Sequence, residues 1–200
     1  MNFDITRKDV TGSTNDDVWE LANAGAQPGV VVRALQQVSG RGRWRNRAWV
    51  SPEGGLYFSV LLRPSLPADQ LPNISPRFAQ AAARVVRNET GAAEDEVWVK
   101  HPNDVKCAAG KLCGMSLDAK DGLVVLGVGL NVFHPATDIV TDGRNVAAYV
   151  CDLGTAHTRN DALSKSIDAP ELRVAYLDTI MEKLLASIAT ELQAIESESR

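Results

Sequence analysis

Residues 123–130 read Leu-Val-Val-Leu-Gly-Val-Gly-Leu, with no polar side chain among them. Successive side chains of a strand point to opposite faces of its sheet, so a run that is apolar throughout buries both faces. Gly127 and Gly129 lack a side chain, which lets a ligand or a neighbouring backbone approach closely. The stretch therefore predicts a central strand with a point of close approach near its end.

Two earlier runs, residues 29–35 and 55–63, are rich in β-branched and aromatic residues and are also predicted to be strands. The segment between them, residues 37–47, reads Gln-Val-Ser-Gly-Arg-Gly-Arg-Trp-Arg-Asn-Arg and is too long and basic for a tight hairpin. Long loops are usually functional or disordered. Glycines permit close approach, and arginines offer paired donors to phosphate or carboxylate oxygens. A solvated charged loop is the alternative interpretation.

The rest of the chain adds helices and short strands. Hydroxyl and acidic residues from Ser13 to Asp17 predict a helix start, and Gly25 its end. A second helix opens at residues 75–76, and a last helix with one apolar stripe runs from about 170 to 195. The other predicted elements are strands at 96–100 and 111–117, a hairpin turn at 118–122, a short helix at 145–151 and a loop at 154–168. This irregular order predicts a mixed, largely antiparallel sheet with helices on one side.

Composition narrows the class of ligand. Two hundred residues fit one domain, and 44% hydrophobic residues suffice for a sizeable core. The net charge of −4 argues against a general nucleic-acid surface. The basic loop is thus a local feature on an acidic background, which favours a small anionic ligand.

The number and spacing of the cysteines, together with the hydropathy of the chain, indicate the cellular compartment of the protein. Cys107, Cys113 and Cys151 are odd in number and lack CxxC spacing, which fits a reducing cytoplasm. The first residues show neither the basic nor the apolar region of a signal peptide. No apolar run approaches the roughly 18 residues of a membrane span. We therefore expect a cytoplasmic protein that does not bind membranes.

Three polar positions suggest chemistry. Asn103 and Asp104 follow a proline and offer hard oxygen ligands to a divalent ion, although a plain turn would use the same residues. Lys111 begins an otherwise apolar strand. It is either an edge residue with its ammonium in water or a lysine aimed into a pocket, where it would stabilise developing negative charge.

In combination, these motifs resemble those of the biotin protein ligases, whose superfamily also contains lipoate ligases. The matching motifs occur in family order over roughly residues 10 to 135: Ser13-Thr14-Asn15, Gln37 with Gly40-Arg41-Gly42-Arg43, Trp49-Val-Ser-Pro52 followed by Gly-Gly-Leu-Tyr-Phe-Ser, Lys100-His-Pro-Asn-Asp104, Lys111-Leu-Cys-Gly114 and Gly127-Val-Gly-Leu-Asn131. The resemblance implies an α+β fold akin to the catalytic core of class II aminoacyl-tRNA synthetases. It also implies one catalytic domain over residues 1–200, without a DNA-binding domain before it or a C-terminal β-barrel after it.

The activity implied by the resemblance has two steps. Biotin reacts with ATP, in the presence of Mg²⁺, to give biotinyl-AMP and pyrophosphate, and a lysine of a biotin carboxyl carrier protein then takes the biotinyl group. Partners would be biotin, ATP and the carrier, with no nucleic acid or membrane, and the chain could form a homodimer.

The resemblance also implies roles for individual residues. Lys111 and Arg41 would be catalytic, and Asp104 would hold Mg²⁺. The biotin-binding residues would be Ser13, Thr14, Asn15, Gln37, Gly40, Arg41, Gly114, Gly127 and Gly129. The ATP-binding residues would be Arg43, Arg47, Trp49, Asn103, Asp104, Lys111 and Asn131. The basic loop should be mobile without ligand and should fold over biotinyl-AMP, because the anhydride must be kept from water.

The sequence departs from the family pattern in two places. His101 stands where a Trp is usual, and the arginine loop is one residue longer, so that Arg45 competes with Arg47 for the same role. Four alternatives remain: a lipoate or octanoate ligase, an acyltransferase with Cys113 as nucleophile, a reduced paralogue that binds biotin without transferring it, and an RNA-binding protein.

Overall fold

A computed structural model describes residues 1–42, 48–67, 69–136, 146–155 and 157–199. Its strands are β1 (Asp4–Thr11), β2 (Val30–Gln37), β3 (Gly55–Leu62), β4 (Trp98–Lys100), β5 (Asp104–Cys107), β6 (Gly110–Lys120) and β7 (Leu123–Asn131). Its helices are α1 (Thr14–Asn23), α2 (Ile74–Thr90), α3 (Asp161–Asp168) and α4 (Arg173–Glu198), with short 3-10 turns at Leu71–Asn73, Val150–Asp152 and Pro170–Leu172.

The seven strands form one sheet in the order β1-β2-β3-β7-β6-β5-β4. β1 and β2 are parallel, and every other pair is antiparallel. β7 lies between β3 and β6, so the prediction of a central strand at residues 123–130 is confirmed. The predicted mixed, largely antiparallel sheet of an α+β fold is confirmed as well.

Helices cover both faces of this sheet. Helices α2, α3 and α4 contribute to the large core together with residues of β3, β6 and β7. On the opposite face, Val18 of α1 packs against Val32, Leu61 and Val125. The expectation of helices on one side therefore holds for α2, α3 and α4, whereas α1 lies on the other face. The central strands carry apolar side chains on both faces of the sheet, so helices must cover each face.

Several local predictions require correction. Strand β1 was not predicted, because as an edge strand it has only intermittent burial. Of the short helix expected at 145–151, residues 146–149 are not helical, and Ala147 forms a β-bridge with Lys111. The loop expected at 154–168 contains α3, which is capped by the side chain of Asn160 accepting from the backbone N–H of Ala162 at 2.8 Å. Asp104 begins β5 rather than lying within a turn.

Helices α2 and α4 are joined by polar as well as apolar contacts. Glu89 of α2 is buried, and its carboxylate accepts hydrogen bonds from Lys183 at 2.5 Å and from the Tyr176 hydroxyl at 3.1 Å. Arg77 of α2 pairs with Glu191 of α4 at 2.9 Å. Because α4 carries charges on its outer surface, it is amphipathic. No described helix is both long and apolar enough to cross a membrane.

The apolar stripe of α4 should account for much of its contribution to stability. Leu184 is fully buried in the core, whereas Leu172, just before α4, is 42% exposed. We expect Leu184→Ala to lower the free energy of unfolding by about 2–5 kcal/mol, because it removes buried methyl groups and leaves a cavity. Leu172→Ala, the matched control, should change it by about 0.5 kcal/mol or less. Urea-induced unfolding followed by circular dichroism measures both, and equal effects would contradict the packing described here.

Candidate active site

A pocket lies on the α1 face of the sheet, where β7 carries two glycines on that face. Gly127 pairs with Ser59 on one side and Ser116 on the other, and Gly129 pairs with Tyr57 and Gly114. A side chain at 127 would place its Cβ only 2.3 Å from Asn15 Oδ1. The pocket is lined by Ser13, Thr14, Asn15, Gln37, Arg41, Gly42, Trp49, Asn103, Lys111, Gly114, Met115, Ser116, Gly127, Val128 and Gly129. The glycines thus leave an indentation in an otherwise filled sheet.

One wall of the pocket is a hydrogen-bonded polar network at the start of α1. Thr14 is buried; its hydroxyl lies 2.7 Å from Ser59 Oγ, and its backbone N–H donates to Gln37 Oε1 at 2.9 Å. Gln37 Nε2 in turn donates to Ser51 Oγ at 2.9 Å. Ser13 occupies the N-cap position of α1 without a capping hydrogen bond from its side chain. Apart from the Gln37 amide oxygen, which accepts from the first N–H of α1, these hydroxyl and amide groups are hydrogen-bonded to one another along the pocket wall.

The network continues across the sheet through Asn15. Its amide oxygen accepts from Ser59 Oγ at 2.5 Å, and its amide nitrogen donates to Ser116 Oγ at 3.2 Å. Asn15 thereby spans Gly127 from β3 to β6. This geometry fixes the orientation of the amide beside the glycine floor.

Lys111 supplies the positive charge within the pocket. Its Nζ lies 2.7 Å from Asp104 Oδ1, and both side chains are largely buried. The same Nζ lies 5.1 Å from the centre of the Trp49 ring, a cation–π contact. Of the two interpretations of Lys111, the structure favours the lysine aimed into a pocket.

Trp49 occupies much of the space above the glycine floor. Its ring lies against Gly114 and Gly129, where an added Cβ would come within 2.9 and 2.4 Å of the indole. Its Nε1 is buried and has no hydrogen-bond partner within the part of the chain that the structure describes. The free space that remains is about 40 Å³, enough for a few water molecules.

Arg41 lies at the rim of the pocket, where its guanidinium contacts both carboxylate oxygens of Asp16 in α1, with Nη1 2.7 Å from Oδ2. The hydrogen bond to Asp16 raises the pKa of Arg41 above its ordinary value. Behind it, Arg41 bridges to Ala48, and the Trp49 N–H donates to the Gly40 carbonyl at 2.9 Å. These contacts close the base of the basic loop.

Comparison with known proteins gives the family. The sequence profile described as "Biotin/lipoate A/B protein ligase family" matches residues 8–131. The chain belongs to this family. The match spans α1, the glycine strand and every described residue that lines the pocket. The predicted family and its class II synthetase-like fold are thus confirmed.

Individual relatives agree with this assignment. The chain is 34% identical over 153 residues to the bifunctional ligase/repressor BirA of Bacillus spizizenii, which covers 74% of this chain and 46% of that protein. It is 34% identical over 168 residues to the biotin–[acetyl-CoA-carboxylase] ligase of Mycobacterium tuberculosis, covering 82% of this chain and 61% of that one. The chain therefore spans about half the length of the curated relatives it matches.

Solved structures show the same fold. A biotin protein ligase from Aquifex aeolicus, in complex with biotin and ATP, superposes with a TM-score of 0.73 at 23% identity, over 98% of this chain and 73% of that chain. A biotin protein ligase from Leishmania major in complex with biotinyl-5-AMP gives a TM-score of 0.64 at 22% identity, over 98% and 75%.

Most of the family residues predicted from the sequence converge on the pocket. The exceptions among the described residues are Gly40, Asp104 and Asn131. Gly40 packs behind Gln37, Asp104 reaches the pocket through Lys111, and Asn131 donates from Nδ2 to the Lys111 carbonyl at 3.0 Å. Arg43, Arg45 and Arg47 lie outside the described residues, as does the rest of segment 43–47 of the loop predicted to be mobile.

Four polar residues of the site were not predicted: Asp16, Ser51, Ser59 and Ser116. Ser59 carried a signal, since it is a serine within the otherwise apolar and fully buried strand β3, whereas half-buried Ser116 lies in a strand that also carries charged residues. Asp16 was taken as an ordinary acid in the first turn of a helix, and nothing local distinguishes it. His101, the departure from the family pattern, is exposed and does not line the pocket.

Cys113 does not fit the role of a nucleophile. It is fully buried in β6, and burial raises the pKa of its thiol to about 12. At pH 8 almost no thiolate is present, and the thiolate is the reactive form. The acyltransferase alternative therefore has no support from the site.

The buried thiol makes a simple labelling prediction. At pH 8 we expect iodoacetamide to leave Cys113 unmodified in the folded protein and to modify it once urea unfolds the chain. Partly buried Cys151 serves as an internal control: burial and the charge of Asp152 raise the pKa of its thiol to about 11, so it should react slowly yet faster than fully buried Cys113. Peptide mass spectrometry measures both. Rapid labelling of Cys113 in the folded protein would contradict its burial.

Proposed function

We propose that this protein is a biotin protein ligase. The single observation that carries the proposal is the Lys111 ammonium, which lies 2.7 Å from Asp104 and over the Trp49 ring at the glycine floor of the pocket. An ammonium held in such a place suits a reaction in which two anions must meet. Family membership and the polar network beside it support the same assignment.

In the first proposed step, a carboxylate oxygen of biotin attacks the α-phosphorus of ATP, and pyrophosphate leaves. Lys111 would offset the repulsion between the carboxylate and the α-phosphate and stabilise the charge that builds on the phosphoryl oxygens. Arg41 would close over the same place. For this the guanidinium must exchange the Asp16 carboxylate for a substrate anion, a swap between two charge-assisted contacts.

Specificity for biotin is attributed to the polar wall. The ureido ring of biotin has two N–H donors and one carbonyl acceptor, and the pocket offers hydroxyl and amide groups from Thr14, Gln37 and Asn15. Lipoate and octanoate end in apolar groups, which would make no hydrogen bonds to these hydroxyls and amides. The network thus favours biotin over the lipoate or octanoate alternative.

Mg²⁺ is proposed to enter with the nucleotide. Mg²⁺ is usually held by one or two carboxylates together with substrate phosphates, and Asp104 offers one carboxylate beside Lys111. The described pocket residues contain no cluster of three carboxylate, imidazole or thiol ligands. These residues therefore fit a metal that Asp104 shares with ATP, where it would neutralise phosphate charge.

In the second proposed step, a carrier lysine attacks the carbonyl carbon of the mixed anhydride, and AMP leaves. The carrier, a biotin carboxyl carrier protein or domain, is part of the proposal. A cytoplasmic location is proposed as well, because all three cysteines are free. Formation of a homodimer stays a prediction.

The role of Lys111 can be tested by substitution. Lys111→Met keeps much of the side-chain volume and removes the charge, so biotin-dependent exchange of pyrophosphate into ATP should fall by about a hundredfold or more. Lys120→Ala, an exposed lysine at the far end of the same strand, is the control and should retain activity. The double variant Lys111→Met with Asp104→Asn shows whether the loss in the single variant arises only because Asp104 is left unpaired.

Two readouts separate the outcomes of this test. Exchange and labelling of a carrier domain are measured in parallel, with circular dichroism to confirm folding. Unchanged exchange in Lys111→Met would refute the role of this lysine. A wild-type protein that binds biotin but yields neither pyrophosphate nor labelled carrier would instead support the non-catalytic paralogue.

The glycine floor gives an independent prediction. In Gly127→Ala the new Cβ would lie 2.3 Å from Asn15 Oδ1 and 2.7 Å from Ser116 Oγ, so Asn15 must shift. We expect biotin binding, measured by titration calorimetry, to weaken by about tenfold or more. Gly12→Ala is the matched control, because an added Cβ there meets nothing within 4 Å. Equal affinities in the two variants would argue against this position for the biotin site.

A further inference from the structure

A second cluster of chemically capable side chains lies away from the pocket, beyond the end of β7. It consists of His134, Cys151 and Asp152, whose ligand atoms all lie within 4.8 Å of one another. His134 Nε2 is 2.9 Å from each carboxylate oxygen of Asp152, and Cys151 Sγ is 3.7 Å from Asp152 Oδ1. A nitrogen, a sulfur and an oxygen therefore converge on one point from two separate segments of chain.

The two segments that carry these residues, 132–134 and 150–152, are anchored to the protein core. The Cys151 N–H donates to the Val132 carbonyl at 2.9 Å, and Val132 and Phe133 are buried. The His134 ring packs on Tyr149, with ring centres 4.1 Å apart. At the same time the His134 and Asp152 side chains are more than half exposed, at 59% and 53%. The cluster is thus pre-positioned, with a partly buried thiol beside an imidazole and a carboxylate that are open to a solute.

We propose that His134, Cys151 and Asp152 form a binding site for a borderline-soft divalent cation of the Zn²⁺ type, with water in the fourth position. Zn²⁺ binds Cys sulfur at about 2.3 Å and His nitrogen or carboxylate oxygen at about 2.0–2.2 Å, usually in a tetrahedron. Those bond lengths separate neighbouring ligand atoms by roughly 3.3–3.7 Å. The observed His134–Asp152 and Cys151–Asp152 separations of 2.9 and 3.7 Å bracket this range, and the Cys151 Sγ and His134 ligand atoms lie within 4.8 Å, so metal binding requires a modest side-chain adjustment.

The donor set identifies the class of metal. Mg²⁺ and Ca²⁺ prefer all-oxygen ligands, whereas a thiolate with an imidazole selects Zn²⁺ or related transition metals. The proposed site shares no residue with the described lining of the pocket. A cation there would fasten the chain after β7 to the turn at Val150–Asp152. Its expected effect is on stability, and it does not rest on the proposed ligase activity.

Cobalt provides a direct test, because Co²⁺ occupies Zn²⁺ sites and gives a near-ultraviolet charge-transfer band when bound to a thiolate. Metal-free full-length protein should bind one equivalent of Co²⁺ with this band, and Zn²⁺ should displace it while excess Mg²⁺ should not. Cys151→Ser should abolish the band, and His134→Ala or Asp152→Asn should weaken binding by about tenfold or more. His157→Ala, an exposed histidine elsewhere, is the matched control and should bind like the wild type.

Thermal unfolding supplies a second readout. A cation that binds only the folded state raises the unfolding midpoint, so Zn²⁺ should stabilise the wild type and His157→Ala but not Cys151→Ser. The titration of the wild type decides the matter even where a variant is poorly folded. No stoichiometric Co²⁺ binding, or a band that survives in Cys151→Ser, would overturn the proposal and leave His134 and Asp152 as a hydrogen-bonded surface pair.

Discussion

The structure depends on how β7 is covered on both faces. On one face its residues Val124, Leu126 and Leu130 join the core beneath α2 and α4, and on the other Val125 packs under α1. Next along that second face come Gly127 and Gly129, which cannot be covered by their own side chains. The resulting gap is filled by residues from distant parts of the chain, Asn15 at one glycine and Trp49 at the other. The pocket is therefore a gap in the side-chain cover of a strand that is otherwise buried on both faces.

The cationic side chains at this pocket are each paired with a carboxylate. An isolated ammonium in a mostly buried place would be costly, and the Asp104 carboxylate offsets that cost for Lys111. Arg41 is paired in the same way with Asp16 at the exposed rim, where the ion pair contributes little to stability. Both cations are consequently available to an anionic substrate at the modest cost of exchanging one carboxylate partner for another. This arrangement is what the proposed adenylation chemistry requires.

The sequence allowed the central strand, the strands that flank the basic loop, three of the helices and most of the pocket residues to be predicted, because periodicity, glycine placement and motif order are local properties. It did not allow Asp16 to be paired with Arg41, since 25 residues separate them and each has an ordinary local explanation. Edge strand β1 was not predicted, because a partly buried strand shows no clear alternation of apolar and polar residues. Helix α3 was missed because its polar, short sequence resembles a loop.

The sequence alone determined three features: a buried strand that contains glycines, a local concentration of arginine, and the order of motifs that defines the family. Each of these depends only on residue type and spacing. Only the tertiary structure decided which face of the sheet carries the pocket, that Lys111 points into it, and that His134 meets Cys151 and Asp152. The physical reason is that side-chain direction and long-range proximity follow from strand register and helix packing. Those quantities are set by burial summed over the whole chain and cannot be derived from any one stretch of it.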